Sequence, residues 1–138
     1  MARVAFGTDM STPLTAAMVS HLGEAGHTVV TVAEDEPWPD VGRAVGVAVA
    51  TGDAQLGVVC CWTGTGVSIA ANKVPGIRAA LCTDAETATG ARRWNDANVL
   101  AMGIRLTSAP LAVEIIDAFL AGVVDPDEVA EIAKLERA

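Results

Sequence analysis

Gly57-Val58-Val59-Cys60-Cys61 is an unbroken apolar run that ends in Trp62-Thr63-Gly64-Thr65-Gly66 and passes into a helix reaching about Lys73. A strand without polar alternation is buried on both faces, as central strands of helix-covered parallel sheets are. The two glycines fall where the backbone must turn sharply and can come close to a ligand. This segment restricts the chain to an α/β architecture.

The flanking sequence repeats the alternation. Arg3–Gly7 reads as a first strand, and Ser11 as the N-cap of a helix with Pro13 in its first turn, running to about Ala25. Gly26 ends that helix, His27–Ala33 is a second strand, and Glu34–Asp40 is an acidic, proline-bearing loop. Val41–Thr51 is the next helix, Ile77–Cys82 a fourth strand, Asp84–Arg93 a helix and Val99–Gly103 a fifth strand. Ala109–Ala121 is a strongly apolar helix and Pro126–Arg137 a final charged one. No linker, repeat or low-complexity tail interrupts the 138 residues, so one domain is expected.

Composition excludes several function classes. The net charge of −8 leaves no basic stripe for nucleic acid and disfavours an anionic membrane surface. No apolar run reaches the ~20 residues of a membrane helix. The first six residues read as a strand rather than a signal peptide. Three cysteines, two of them adjacent, make no disulfide framework, and cytoplasmic residence is the expectation. No His, Cys or carboxylate cluster has metal-ligand spacing, so no metal is expected.

Open parallel sheets bind ligands beyond the carboxyl ends of their strands. The segments predicted there are Gly7–Met10, Cys61–Ser68, Cys82–Asp84 and Gly103–Arg105, with loops at Trp38–Asp40 and Trp94–Asp96 able to reach the same rim. Amides of residues 64–68, at a helix N-terminus, form a cradle for an oxyanion or phosphate. Ile69 breaks the dinucleotide fingerprint, and no glycine-rich turn follows the first strand, so no nicotinamide or flavin cofactor is expected. Cys61, at a strand end before a helix, is open to two readings: a base with lowered pKa, or a small buried hydrophobe. Cys60 alternates to the other face and reads as core, and Cys82 as packing. His21 and His27 fall away from the rim and read as structural.

Gly64-Thr65-Gly66-Val67-Ser68-Ile69-Ala70-Ala71-Asn72-Lys73 and Gly76-Ile77-Arg78-Ala79-Ala80-Leu81-Cys82 resemble the ribose-5-phosphate isomerase B family, which includes galactose-6-phosphate isomerase subunits. Phe6-Gly7-Thr8-Asp9, Asn95-Asp96-Ala97-Asn98-Val99-Leu100 and Ile115-Ile116-Asp117-Ala118-Phe119-Leu120 extend the resemblance. It implies a Rossmann-like three-layer α/β/α sandwich with a five-stranded parallel sheet. It also implies a homodimer whose sites are completed by the partner chain, with pairing to a paralogous subunit as the alternative. The apolar Ala109–Ala121 helix points to an assembly as well, and the last helix, about 126–137, is expected at the interface.

The reaction implied is aldose–ketose interconversion through an enediol, with Cys61 as base and amides of the glycine turn on the oxyanion. Thr63 would orient substrate, and Asp9 and Asn95 would line the sugar site. No cofactor is implied. The departures from the family also fall on the site. Met10 and Trp94 stand where the family has histidines, and Trp62 stands where it has glycine. The acidic run Asp125-Pro126-Asp127-Glu128 replaces an Arg- and His-rich segment, and Arg105 remains of the phosphate-binding positions. A charge-assisted phosphate contact is worth ~1.5–3 kcal/mol, so losing several disfavours a doubly charged phosphate. Trp38, Trp62 and Trp94 either shape a flatter, drier pocket or fill core and interface space. Three readings follow: an isomerase or epimerase acting on a carbohydrate-like substrate other than ribose 5-phosphate, a non-catalytic ligand- or partner-binding subunit, and an ordinary ribose-5-phosphate isomerase with rebuilt phosphate contacts.

Overall fold

The computed structural model describes residues 1–137. Its elements run β1 (Arg3–Thr8), α1 (Pro13–Glu24), β2 (Thr28–Glu34), α2 (Trp38–Ala50), β3 (Leu56–Cys61), α3 (Thr65–Asn72), β4 (Ala79–Leu81), α4 (Ala85–Asn95), β5 (Val99–Gly103) and α5 (Ala109–Ala121). A 3-10 turn (Pro126–Glu128), the short α6 (Val129–Ala133) and a second 3-10 turn (Lys134–Arg137) follow. The strands form one parallel sheet in the order β2-β1-β3-β5-β4. The chain steps from β1 to β2 on one side, then crosses to β3 on the other side, continues to the edge strand β4 and returns to β5 between them. The switch point therefore lies between the carboxyl ends of β1 and β3.

Side-chain alternation divides the core in two. On one face Phe6, Val58, Cys60, Leu100 and Met102 pack against Met18 and Leu22 of α1, Ala88 of α4, and Ile115, Ile116 and Phe119 of α5. On the other, Ala5, Val59, Cys61, Val99 and Ala101 meet Val41 and Val45 of α2 and Val67 and Ala71 of α3. Every residue of β3 is buried, as its unbroken apolar run requires. Helices thus cover both faces, giving the expected three-layer Rossmann-like sandwich.

Four details differ from the sequence reading. Thr12, not Ser11, caps α1 through a capping box with Thr15, while Ser11 gives its hydroxyl to Asp35 at 2.7 Å. Helix α2 begins inside the expected acidic loop, because Pro39 in its first turn has no amide to leave unpaired. Strand β4 is confined to Ala79–Leu81. The charged C-terminal segment is a broken series of short turns rather than one helix.

The apolarity of α5 has an explanation within the chain. Ala112, Ile115, Ile116 and Phe119 are spent on its own sheet, so that helix is no argument for a partner. His21 Nε2 lies 2.6 Å from Asp117 Oδ1, joining α1 to α5, and His27 Nδ1 accepts the Ala2 amide at 3.0 Å. Among the described residues no helix is long and apolar enough to cross a membrane.

Candidate active site at the end of the central strand

The carboxyl end of β3 is knitted to its neighbours by backbone. The Asp9 amide donates to the Cys60 carbonyl at 3.3 Å, tying the β1 end to β3. The Ile104 and Arg105 amides donate to the carbonyls of Cys61 and Trp62, both at 2.9 Å, tying the β5 end to the same turn. Asp9, Met10, Cys61–Gly66 and Arg105 thereby share one rim.

Gly64 is what lets the chain turn there. Its φ of +78° is left-handed, and a Cβ would stand 2.6 Å from Leu81 Cδ1 and 2.8 Å from the Met102 carbonyl carbon. Gly103 is pressed against the same turn from β5, since a Cβ there would stand 2.7 Å from the Thr63 carbonyl oxygen. Because the N-cap is glycine, no side chain closes the α3 N-terminus. The Thr65 amide has only a long 3.4 Å approach to Thr63 Oγ1. The Ser68 amide, expected in the cradle, is already spent on the Gly64 carbonyl at 3.2 Å. The open donors belong to the first turn, 64–67, and present the positive end of the helix to the rim.

Cys61 is 5% exposed, at the mouth of this turn, with its side chain on the α2/α3 face. Cys60 faces the other way, 3.5 Å from Met18 Sδ, and burial pushes its thiol far up. Burial also raises Cys82, to about 11, and its thiol donates to the Ala80 carbonyl. Cys60 and Cys82 are therefore the packing residues the sequence suggested.

Asp9 carries the clearest electrostatic signature of the rim. Its Oδ1 is buried without a hydrogen-bond partner. Burial, with a smaller contribution from the Asp35 carboxylate, raises it above its ordinary value, against the lowering effect of its own backbone amide. Asp35 is held in a left-handed turn and lowered by hydrogen bonds from the Ser11 amide and hydroxyl.

The tryptophans are not core residues. Trp62 is 52% exposed in the turn, and Met10 beside Asp9 is 44% exposed. Trp38, whose loop the sequence placed within reach of this rim, is 45% exposed, and its ring lies on the first turn of α3. A Cβ at Gly66 would stand 2.8 and 2.9 Å from its Cε3 and Cδ2. The sequence did carry a signal for this: the small residues Gly42 and Gly46 at helical spacing from Trp38.

Trp94 and Asn95 are placed elsewhere. Helix α4 starts at the Asp84 N-cap beside the β4 end and runs back along the sheet. The chain then turns so that the Asn98 amide meets the Arg78 carbonyl, at the amino ends of β4 and β5. Asn95 and the Trp94–Asp96 loop thus lie at the opposite rim from Cys61, correcting the expectation that this loop reaches the turn within one chain. The 54%-exposed Trp94 folds its ring back over Gly90. Asn95 borders a groove of about 600 Å³ whose other walls include Asn72, Arg78, Leu135 and Glu136. No group of three or more His, Cys, Asp or Glu among the described residues is arranged to hold a metal ion.

Fold and rim together define a Rossmann-like α/β protein with an uncapped helix N-terminus at its switch point. The chain matches the family model described as Ribose/Galactose Isomerase over residues 4–135. It is 41% identical over 125 residues to ribose-5-phosphate isomerase B of Escherichia coli strain K12, covering 87% of this chain and 84% of that one. It is 45% identical over 104 residues to galactose-6-phosphate isomerase subunit LacB of Clostridium acetobutylicum, 72% of this chain and 60% of that subunit. The solved ribose-5-phosphate isomerase B of Clostridium thermocellum superposes with a TM-score of 0.91 at 35% identity, over 98% and 95% of the two chains. The chain belongs to the ribose/galactose isomerase family, a family of sugar-phosphate isomerases.

Proposed function

We propose that the chain is an aldose–ketose isomerase, or an epimerase, that moves a proton through an enediol on a carbohydrate-like substrate other than ribose 5-phosphate. The observation that carries this reading is Cys61 at the switch point, next to the open α3 N-terminus. Cys61 takes the proton from C2 and returns it to C1, while a second proton passes from O2 to O1. The amides of 64–67 hold the oxyanion as it forms, and Thr63 orients the substrate between them. Asp9 binds a hydroxyl through its unpartnered Oδ1, and the Ser68 side chain flanks the cradle.

Two facts support the altered specificity. Arg105 is an exposed cation beside the turn, while Asp9 and Asp35 add negative charge near the same rim. Met10, Trp62 and Trp38 add apolar surface at the same rim. Asn95 and Trp94, at the opposite rim, join a site only when supplied by a second copy, which makes the working unit a dimer in this reading.

Direct assay with ribose 5-phosphate, beside allose 6-phosphate, erythrose 4-phosphate and the free aldoses, tests the proposal. Slow or absent turnover of ribose 5-phosphate with faster turnover of another member supports it. Efficient turnover of ribose 5-phosphate returns the chain to ordinary activity with rebuilt phosphate contacts. The similarity to subunit LacB favours a second reading, a subunit that works only beside a paralogous chain. Activity that appears only on mixing the two chains would establish it.

A further inference from the structure

Asn95 stands exposed at the end of α4, and the three residues after it are held from several directions. Asp96 has a left-handed φ of +48°, which a residue with a side chain keeps only when its surroundings hold it. Arg78, in the turn before β4, supplies the hold. Its Nε donates to the Asp96 carbonyl at 2.7 Å and its Nη2 to Asp96 Oδ2 at 3.3 Å. The backbone of Arg78 grips the same loop, its amide donating to Asn98 Oδ1 at 2.8 Å and its carbonyl accepting the Asn98 amide at 2.9 Å. Asn98 Nδ2 donates in turn to the Gly76 carbonyl at 3.0 Å, and Arg92 Nη1 to the Ala97 carbonyl at 2.8 Å.

A guanidinium presents its donors in a fixed fork. By taking the carbonyl and the carboxylate of one residue it sets both the backbone and the side chain of that residue, which a single ammonium cannot do. The other contact of the fork, Nη1 to Glu136 at 3.4 Å, is longer and ends on an exposed carboxylate, so the loop is its main partner. The sheet does not depend on this fork, because β5 is already paired to β3 and β4 by backbone. What the fork fixes is the direction in which the chain leaves α4, and with it the exposed amide of Asn95. Asn95 and Arg78 border the same groove of about 600 Å³.

We propose that Arg78 is a positioning residue: through its fork on Asp96 it holds the Asn95 loop in the shape that carries Asn95 to the site of a second copy. This rests on the reading that Asn95 serves such a site, and goes further in assigning the residue that makes it competent to do so.

The test is a double-mutant cycle on the whole protein, read as deuterium entry from heavy water into ribose 5-phosphate, allose 6-phosphate, erythrose 4-phosphate and ribose. Rates are taken per folded protein, so that lost stability alone moves nothing. Arg78→Gln and Asn95→Ala each slow exchange about tenfold, and Arg78→Lys recovers part of the loss. The double variant falls no more than about twofold below Asn95→Ala, because Arg78 acts through Asn95. Hydrogen exchange of the backbone quickens in Arg78→Gln only in peptides that cover Asp96–Asn98. If Arg78→Gln does not fold, Asp96→Asn replaces it in the cycle: it keeps the arginine and the left-handed turn but loses the charge pair, and slows exchange about threefold with the same non-additivity. Losses that multiply in the double variant, or undiminished exchange in Arg78→Gln or in the Asp96→Asn that replaces it, would overturn the proposal while leaving Asn95 its role. Undiminished exchange in Asn95→Ala, or a wild type inert on every sugar, would remove that role and the proposal together.

Discussion

Gly42→Ala is the most informative single methyl group that can be added to this fold. The new Cβ would stand 2.6 Å from Ala70 Cβ, 2.7 Å from the Val67 carbonyl oxygen and 3.1 Å from the Ala71 amide nitrogen. Carbon atoms in comfortable contact are about 3.5–4.0 Å apart, so the two helices must part by roughly 1 Å. Two of the three obstacles are backbone and cannot rotate away. Overpacking of this kind costs typically 1–3 kcal/mol, while alanine gains about 1 kcal/mol over glycine in a helix interior. The net expectation is a loss of up to about 2 kcal/mol, or a fall in Tm of up to about 8 °C for a chain of this size, where an unhindered glycine-to-alanine change would raise it. Gly23→Ala is the control, because nothing lies within 4 Å of its Cβ and only the helix gain of about 0.5–1 kcal/mol remains. Thermal and urea unfolding of both variants reads the difference. A Gly42→Ala protein stabilised as much as Gly23→Ala would refute the close α2–α3 contact, and with it the seating of Trp38.

Asp9→Asn is expected to raise stability near neutral pH, because the native chain holds the Asp9 proton more tightly than the unfolded chain does. Wild-type stability therefore falls as pH rises through the unfolded and then the raised folded pKa. The Tm gap between variant and wild type is present at about pH 7 and closes at about pH 3, and an equal gap at both would contradict the buried charge. Alkylation of the native protein with iodoacetamide at about pH 8 is expected to label Cys61 and to spare Cys60 and Cys82, whose thiols are raised by burial. Peptide mass spectrometry reads the sites, and label on Cys60 before global unfolding would contradict the packing.

Much of the sheet was legible because its strands are apolar runs bounded by glycine and polar residues. Gly57–Cys61 leaves no other reading, and the glycine turn after it marks the rim. The boundaries that differed turn on competition for the same groups. Ser11 could cap α1, but Asp35, distant in sequence, takes its hydroxyl and leaves the cap to Thr12. The Trp38-Pro39-Asp40 run carries loop chemistry, yet proline is at ease in the first turn of a helix. The apolar face of α5 suggested a partner because the sequence does not say which surface covers it. Asn95 and Trp94 could be grouped with the turn by resemblance, whereas the length and direction of α4 separate the rims within one chain. The Trp38 loop could be placed near the rim from sequence, but the seat of its ring on Gly66 depends on register between two helices, which the order of residues alone does not give.

The central claim is that Cys61 moves a carbon-bound proton, and its most direct measurement is isotope exchange. The protein is incubated in heavy water with ribose 5-phosphate, allose 6-phosphate, erythrose 4-phosphate, ribose and ribulose in turn, and deuterium at C1 and C2 is followed by NMR. Deuterium entering at least one of these sugars, and lost with Cys61→Ala in a protein that still folds, is the expected result. Exchange that continues unchanged in Cys61→Ala, or that is absent from every sugar tested, would contradict it.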